Sequence, residues 1–391
     1  MEALILTKAE ARKIILHAAG LCKRAQFGKG YEAVYKVINH LGFVQIDANY
    51  VVERAHHHAL FTRVPDYQAE WLDELQADGR VFEYYMADAG YIPMQHYRFS
   101  LPVKKAFEEK RKPLTQAELN LMQNVLDRVE REGPLMVKDF DDDREVASTG
   151  WWDWRPSKIA LERLYLEGKL MVTRNNFQKV YDLPFNILPD DIDTTIPAPE
   201  EFARHIIMHT LQCLGIAYAK EMNWRARFVK NHLVKQELAK LVTEGKVLQV
   251  AIKDCKSAPL YMLPKYKKKK IELAGDVFIL SPFDVLNTFR HRLKDFFDFD
   301  YQIECFVPVA QRKYGYFSLP ILAGDSFVAR MDSKANRKKA VLTIHNLHFE
   351  PGKPGKPTLE KIREAINQFA RFNQCQHITL AKTNNKQFTI S

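Results

Sequence analysis

The sequence predicts an α+β protein in which three tandem helix-turn-helix modules, each closed by a β-hairpin, precede a C-terminal β-barrel-like domain. Two observations carry this expectation. The first is an internal repeat. Leu161-Glu-Arg-Leu-Tyr-Leu-Glu-Gly-Lys-Leu-Met-Val and Leu238-Ala-Lys-Leu-Val-Thr-Glu-Gly-Lys-Val-Leu-Gln-Val each read as a helix with apolar residues three apart. Each helix is stopped by a glycine, Gly168 or Gly245, where a left-handed residue closes a helix. Each then continues as a strand, a polar turn (Asn175-Asn176 or Lys253 to Ser257) and a returning strand. The second observation is a change of pattern from Asp276 to Glu350, where short aromatic and β-branched runs such as DVFIL, YQIECFVPV, SFVARMD and AVLTIHNLHF read as strands of a small barrel or curled sheet.

The elements follow in order. At the front, Lys8 to Ala19 and Tyr31 to Leu41 read as helices, and the second ends at Gly42 before Phe43-Val44-Gln45-Ile46-Asp47. By analogy with Gly168, this makes Tyr31 to Leu41 a recognition-type helix and sets Gln45 and Asp47 just after it. Thr115 to Glu132 is a long amphipathic helix before GPLMVKDF, and Glu200 to Leu214 is another before GIAYAKEMNW. Each leads through a short turn region to a repeated helix–hairpin segment, so a helix-turn-helix with a wing occurs twice, and the front is a degenerate third copy. Lys267 to Lys270 is a solvated connector. After the β-rich stretch, the linker PGKPGKP (Pro351 to Pro357) precedes an amphipathic helix from Leu359 to Asn373 and a last strand near His377 to Leu380. The expected divisions are residues 1–110, 111–195, 196–270 and 271–391.

Composition bounds the function. With 391 residues, 46% of them hydrophobic, and a mean hydropathy of -0.33, the chain has enough apolar residues for a sizeable core and no run that spans a bilayer. An acidic residue at position 2 and the short apolar run after it lack the pattern of a signal peptide, so a cytoplasmic protein is expected, nucleoid-associated when bound to DNA. Five cysteines, odd in number and never in a Cys-x-x-Cys pair, argue against a disulfide framework or a structural zinc site. The excess of 58 Lys+Arg over 48 Asp+Glu, a net charge of +10, favours a polyanionic partner. Repeated winged helices make duplex DNA the leading ligand, beside a reading in which the array serves protein contacts.

Within this frame, Gln45 and Asp47 project from one face of an extended segment, with Ile46 turned to the core. An ionised carboxylate beside an amide can hold and activate a water; the same alternation also occurs in any half-buried strand. His56, His57 and His58 are consecutive and do not converge on one metal ion from a strand or helix, so no metal is expected there. One or two of them are expected to face phosphates or a damaged base, with Arg54 and Arg63 adding charge. Trp151-Trp152-Asp153-Trp154-Arg155 reads as a core elbow or as a base-stacking group. Lys334, Asn336, Arg337, Lys338 and Lys339 form a basic turn, either solvated or a probe of phosphates or the minor groove. No phosphate-binding glycine loop, Ser/His/Asp arrangement or dinucleotide fingerprint is visible, and no cofactor is expected.

Three blocks, LGFVQIDANYVVERAHHHALFTRV (Leu41 to Val64), WWDWRPSKIALERLYLEGKLMVTRNNFQKVYDL (Trp151 to Leu183) and the long stretch from Ser281 to Arg337, together resemble the YcaQ-type winged-helix DNA glycosylases. The resemblance runs in family order over nearly the whole chain. It implies three winged helices and a β-barrel-like domain around a concave DNA face. It implies excision of purines alkylated at ring nitrogen 7 and unhooking of interstrand crosslinks joined through them. The family's Gln-x-Gln or Gln-x-Asp motif falls on Gln45 and Asp47, in its acidic form, and a DNA-contacting hairpin is matched to Met331 to Lys339. The expected partner is therefore double-stranded DNA carrying alkylated or crosslinked purines, bound by a monomer without a membrane or cofactor. A non-catalytic winged-helix regulator and a metal-dependent nuclease built on the histidine run are the alternatives. The first predicts sequence-selective binding indifferent to alkylation, the second loss of activity with chelator.

Overall fold

The computed structural model describes residues 3–110, 112–140, 155–253, 258–352 and 354–390. Three stretches of it each hold a long helix, a short strand, one or two further helices and a pair of strands. In the first unit, the helix Tyr31–Leu41 leads to a short strand Val44–Gln45, the helices Ala55–Arg63 and Glu70–Ala77, and a hairpin of Val81–Tyr85 and Ala89–Pro93. In the second, Gln116–Glu132 leads to Leu135–Met136, the helix Pro156–Leu166 and the hairpin Met171–Asn175 with Gln178–Asp182. The third runs from Pro199–Leu214 through Ile216–Tyr218, Ala219–Arg225 and Asn231–Thr243 to the strands Leu248–Ile252 and Leu260–Met262. In each, the short leading strand pairs antiparallel with the second strand of its hairpin.

The helix before each hairpin ends in the same way. Gly79, Gly168 and Gly245 have φ of +65°, +76° and +70°, which a side chain with a Cβ adopts only under strain. The amides of Arg80, Lys169 and Lys246 then donate to the carbonyls of Leu75, Leu164 and Leu241, each at 2.9 Å, as in a helix closed by a left-handed glycine. Asp78-Gly79-Arg80 is therefore the front counterpart of Glu167-Gly168-Lys169. This corrects the expectation for Tyr31–Leu41: it opens its unit, and Glu70–Ala77 is the helix that precedes the hairpin. Gly42 is also left-handed, with φ +67°, so the local signal at the two glycines is the same.

The units share one hydrophobic core. A continuous buried cluster runs from Leu6 to Phe327 and includes Val34, Leu72, Val125, Leu161, Ile207 and Leu238 from the three sets of helices. The strand Leu4–Leu6 crosses between units: it pairs parallel with Val250–Ile252 and extends the third sheet at its edge.

Beyond residue 276 lies a five-stranded sheet in sequential order: Val277–Ile279, Ser318–Ala323, Ser326–Asn336, Val341–Phe349 and His377–Leu380. The first four are antiparallel; the last returns parallel after the helix Lys356–Phe372, whose apolar face, including Ile362, Ile366 and Phe369, covers the sheet. Register shifts at Ile321/Leu322 and Asp332/Ser333 bend the strands, and the sheet curls into a half-barrel whose outer strands do not pair with each other. YQIECFVPV, expected as a strand, is instead a loop. The Glu304 carboxylate accepts hydrogen bonds from the amides of Lys313, Tyr314 and Gly315 at 2.8–3.0 Å, folding residues 304–315 back on themselves. Cys22, Cys213, Cys305 and Cys375 are free thiols; Cys255 and Trp151 to Trp154 lie outside the described residues.

Candidate active site

Gln45 ends the short strand Val44–Gln45, where its backbone pairs with Gly90. The approach is close: a Cβ on Gly90 would meet the Phe43 ring and the Val44 carbonyl at 2.3–2.8 Å, so only glycine fits. Immediately after, the Ile46 amide donates to the Ala89 carbonyl at 2.8 Å, and Ile46 is buried. The expected alternation is present. Asp47 is half-buried and its Oδ1 accepts from the Asn49 amide at 2.8 Å, a local turn that orients the carboxylate. Its Oδ2 and the Gln45 side-chain amide have no hydrogen-bond partner among the described residues.

Two neighbours were not foreseen from sequence. Asp88, at the tip of the hairpin Val81–Tyr85/Ala89–Pro93, lies close enough to feel the charge of Asp47. Its carboxyl is pushed up by burial, with Asp47 adding to the rise and Arg227 and Arg225 opposing it. Arg227 holds the hairpin tip by donating to the Met86 carbonyl at 3.0 Å. From the other side comes the loop after Glu304. Burial raises the Cys305 thiol, to which Asp47 also contributes, and the adjoining Phe306 and Val309 are 89% and 76% exposed, large apolar side chains in open solvent.

Different surroundings lie on the two faces of the segment. Gln45 and Asp88 line a cavity of about 100 Å³ together with His96, His205, His209 and Trp224. Ile46 and Ala48 border an open groove of about 640 Å³, whose walls carry Lys138, Arg155, Lys158, Arg174 and Lys179, with Glu162 among them.

The remaining expected site residues divide by burial. Arg63 has no exposed surface and forms a two-pronged ion pair with the equally buried Asp284, at 2.7 and 3.0 Å, while also donating to the Ala19 and Ala59 carbonyls. It is an internal staple, and the expectation that it adds charge at a DNA contact is corrected. His56 and His58 are each 1% exposed. His58 Nε2 bonds the Ile279 carbonyl at 2.9 Å and His56 stacks parallel to Phe177, so neither presents a surface to DNA. The three histidines are on a helix, Ala55–Arg63, which turns consecutive side chains to different neighbours. His57 is half-buried and its Nδ1 meets the Tyr67 hydroxyl at 2.6 Å. Burial, reinforced by Arg54 and Arg174, holds its imidazole down to about 4.

Arg54 and Arg337 do meet. Their guanidinium groups lie over the Tyr50 ring, at 4.1 and 3.8 Å from its centre, and Arg337 pairs with Glu53 at 3.2 Å. The Ala335 amide donates to the Val51 carbonyl at 2.9 Å. The basic hairpin is therefore tied to the segment that follows Asp47. Its turn is shorter than expected: Met331 to Asn336 belong to the strand and Arg337–Lys339 form the turn. Lys334, Asn336, Lys338 and Lys339 are exposed, and Asn336 caps the turn by accepting from the Lys339 amide at 3.1 Å. Among the described residues, no helix is long and apolar enough to cross a membrane.

Comparison with known proteins fits this arrangement. The chain is similar in structure to the DNA glycosylase AlkZ of Streptomyces sahachiroi, with a TM-score of 0.65 at 13% identity over 97% of this chain and 100% of that one. The family model described as "DNA glycosylase AlkZ-like" matches residues 38–372. That span holds Gln45, Asp47, the basic groove and the first four strands of the half-barrel, and the chain belongs to the AlkZ-like DNA glycosylase family.

Proposed function

We propose that this protein is a monofunctional DNA glycosylase of the YcaQ type, which hydrolyses the N-glycosidic bond of purines alkylated at ring nitrogen 7 and unhooks interstrand crosslinks joined through such purines. The three helix–hairpin units act as tandem winged helices, within the divisions 1–110, 111–195 and 196–270, and residues 271–391 complete a concave DNA face. The carrying observation is that one carboxylate oxygen of Asp47 and the Gln45 amide have no hydrogen-bond partner among the described residues, in a segment whose Ile46 and Ala48 border a groove carrying five cationic side chains.

Alkylation at nitrogen 7 leaves the purine cationic, so the leaving group needs little help from an acid. The bond between C1′ and ring nitrogen 9 breaks, and its electron pair departs with the base, neutralising it. Asp47 stabilises the oxocarbenium character left on the sugar. Gln45 orients a water, whose oxygen bonds to C1′ as its proton passes to Asp47. The motif contains no lysine, so the product is an abasic site without a Schiff-base step. A crosslinked base is tethered to the opposite strand and does not rotate into a closed pocket; an open groove suits it. Lys334, Asn336, Lys338 and Lys339 contact the DNA backbone, while Arg54 and Arg337 hold Tyr50, three residues after Asp47, between their guanidinium groups.

The test is release of 7-methylguanine from duplex DNA, followed as alkali-labile abasic sites, for the wild type and for Asp47→Ala and Gln45→Ala. Asp47→Ala loses on the order of 10²–10⁴-fold, the range for a positioned base, with duplex binding retained. Sequence-selective binding without base release would replace this reading with a non-catalytic regulator.

A further inference from the structure

We infer that His96, His205 and His209 form a binding site for one divalent transition-metal ion of the zinc class, set into the wall of the cavity beside Gln45. The inference is independent of the glycosylase chemistry. His205 and His209 lie one turn apart on the helix Pro199–Leu214 and so share a face. His96 comes from the 3₁₀ turn Met94–Ser100 of the first unit. One nitrogen from each ring lies within 4.8 Å of the others. In tetrahedral coordination with bonds of 2.0–2.1 Å, ligand nitrogens sit about 3.3 Å apart, so small side-chain rotations bring all three onto one ion.

Several features fit a site more closely than ordinary packing. None of the three rings has a hydrogen-bond partner among the described residues, and all are half-buried, which leaves their nitrogens free to take a ligand. The rings surround a common point: centroids are 4.4 Å apart for His205–His209 and His96–His209, and 5.0 Å for His96–His205. Phe99 stacks on His205 at 3.5 Å and fixes its plane. A Cβ at Gly42 would collide with the His209 ring, so glycine there leaves the imidazole its space. Arg98 clamps the two elements together, pairing with Glu201 and, at 3.1 Å, with Asp193. Asp88 lines the same cavity and favours a cation; Arg225 also lines it and opposes one.

Three neutral imidazoles without a thiolate suit zinc, and also cobalt, nickel or copper, in preference to magnesium or calcium. Three protein ligands leave a fourth position, which opens into the cavity. Because the ligands come from the first and third units, the ion ties the element that follows the hairpin beside Gln45 to the long helix of the third unit.

The full-length protein, treated with chelator and dialysed, is titrated with Co²⁺ by visible absorption and then with Zn²⁺ in competition. One equivalent of Co²⁺ binds with the ligand-field bands of nitrogen coordination, and Zn²⁺ displaces it. His209→Ala and His96→Ala each weaken binding by at least about 100-fold, since even loss of an outer partner of a ligand costs 10–100-fold. His232→Ala, at an exposed position on another helix, leaves it unchanged. Zn²⁺ raises the melting temperature of the wild type but not of the His209 variant, and circular dichroism of the metal-free variants checks that they fold. Failure of the wild type to take up either ion at micromolar concentration, or unchanged binding in folded His96 and His209 variants, overturns the inference.

Discussion

Two buried charged residues show how the fold treats charge away from DNA. Arg63 and Asp284 are both fully enclosed, and removing one partner strands the other charge in the core. Asp284→Ala is expected to cost about 3–5 kcal/mol, measured by chemical denaturation, whereas an Arg on the DNA face would instead alter affinity and leave stability nearly intact. Lys104 is also enclosed, 5% exposed, with its ammonium 4.0 Å from the centre of the Tyr97 ring, and burial lowers it to about 7. Its ordinary value is near 10.4. Between these values the unfolded chain binds a proton that the folded chain does not, so stability rises with pH across the window from about 7 to 10. Lys104→Met removes that dependence. It is expected to raise stability at pH 7 by at least about 1 kcal/mol, with the gain vanishing toward pH 10; a pH-independent gain in parallel melts would assign the effect to packing instead.

At the level of elements, the loop after Glu304 is the least expected part of the candidate site. Its backbone is fixed by three amide hydrogen bonds to one carboxylate, while Phe306 points its ring into solvent beside the Asp47 neighbourhood. Exposed apolar side chains on DNA-binding proteins enter base steps and unstack them. Phe306→Ala is therefore expected to reduce excision from duplex DNA about 10-fold or more, with little change in melting temperature because almost none of the ring is buried; equal excision would leave the side chain without a role in opening the duplex. The sequence disclosed the helices and hairpins of the second and third units because a glycine stop, a strand and a polar turn occur together there. It disclosed Gln45 and Asp47 through alternation and resemblance. At the front the same signals misled, since Gly42 and Gly79 both close helices with a left-handed residue, and only strand pairing distinguishes a single strand after Gly42 from a hairpin after Gly79. YQIECFVPV misled for a related reason: β-branched and aromatic residues favour strands, but a tertiary carboxylate captured the backbone. The His96, His205 and His209 cluster had half a signal, the i, i+4 pair, and its third member came from another unit.

On the scale of the whole molecule, charge and connectivity make separate predictions. The net charge of +10 and the exposed hairpin lysines favour phosphate contacts, and about six such contacts would set the salt response, although of the groove cations Arg174 is held by Glu83 and Lys179 by Glu162. Duplex affinity should then fall by about 10³-fold between 50 and 200 mM salt, in filter-binding or anisotropy titrations, and a flat response would remove DNA from the groove. Connectivity bears on which unit the N-terminus supports. Leu4–Leu6 precedes the first unit in sequence, yet its partners are Val250–Ile252, and the Lys253 amide donates to the Leu6 carbonyl at 2.8 Å. Each such backbone bond contributes about 1 kcal/mol, and without Leu4–Leu6 the strand Leu248–Ile252 becomes an edge with unpaired backbone groups. Deleting residues 1–6 is therefore expected to speed hydrogen exchange at the Val250 to Lys253 amides by about 5- to 10-fold, while amides of Val81–Tyr85 keep their protection. If protection is lost at Val81–Tyr85 instead, the N-terminal strand acts on the first unit, through the helix Lys8–Ala18, and the parallel pairing contributes little to the third.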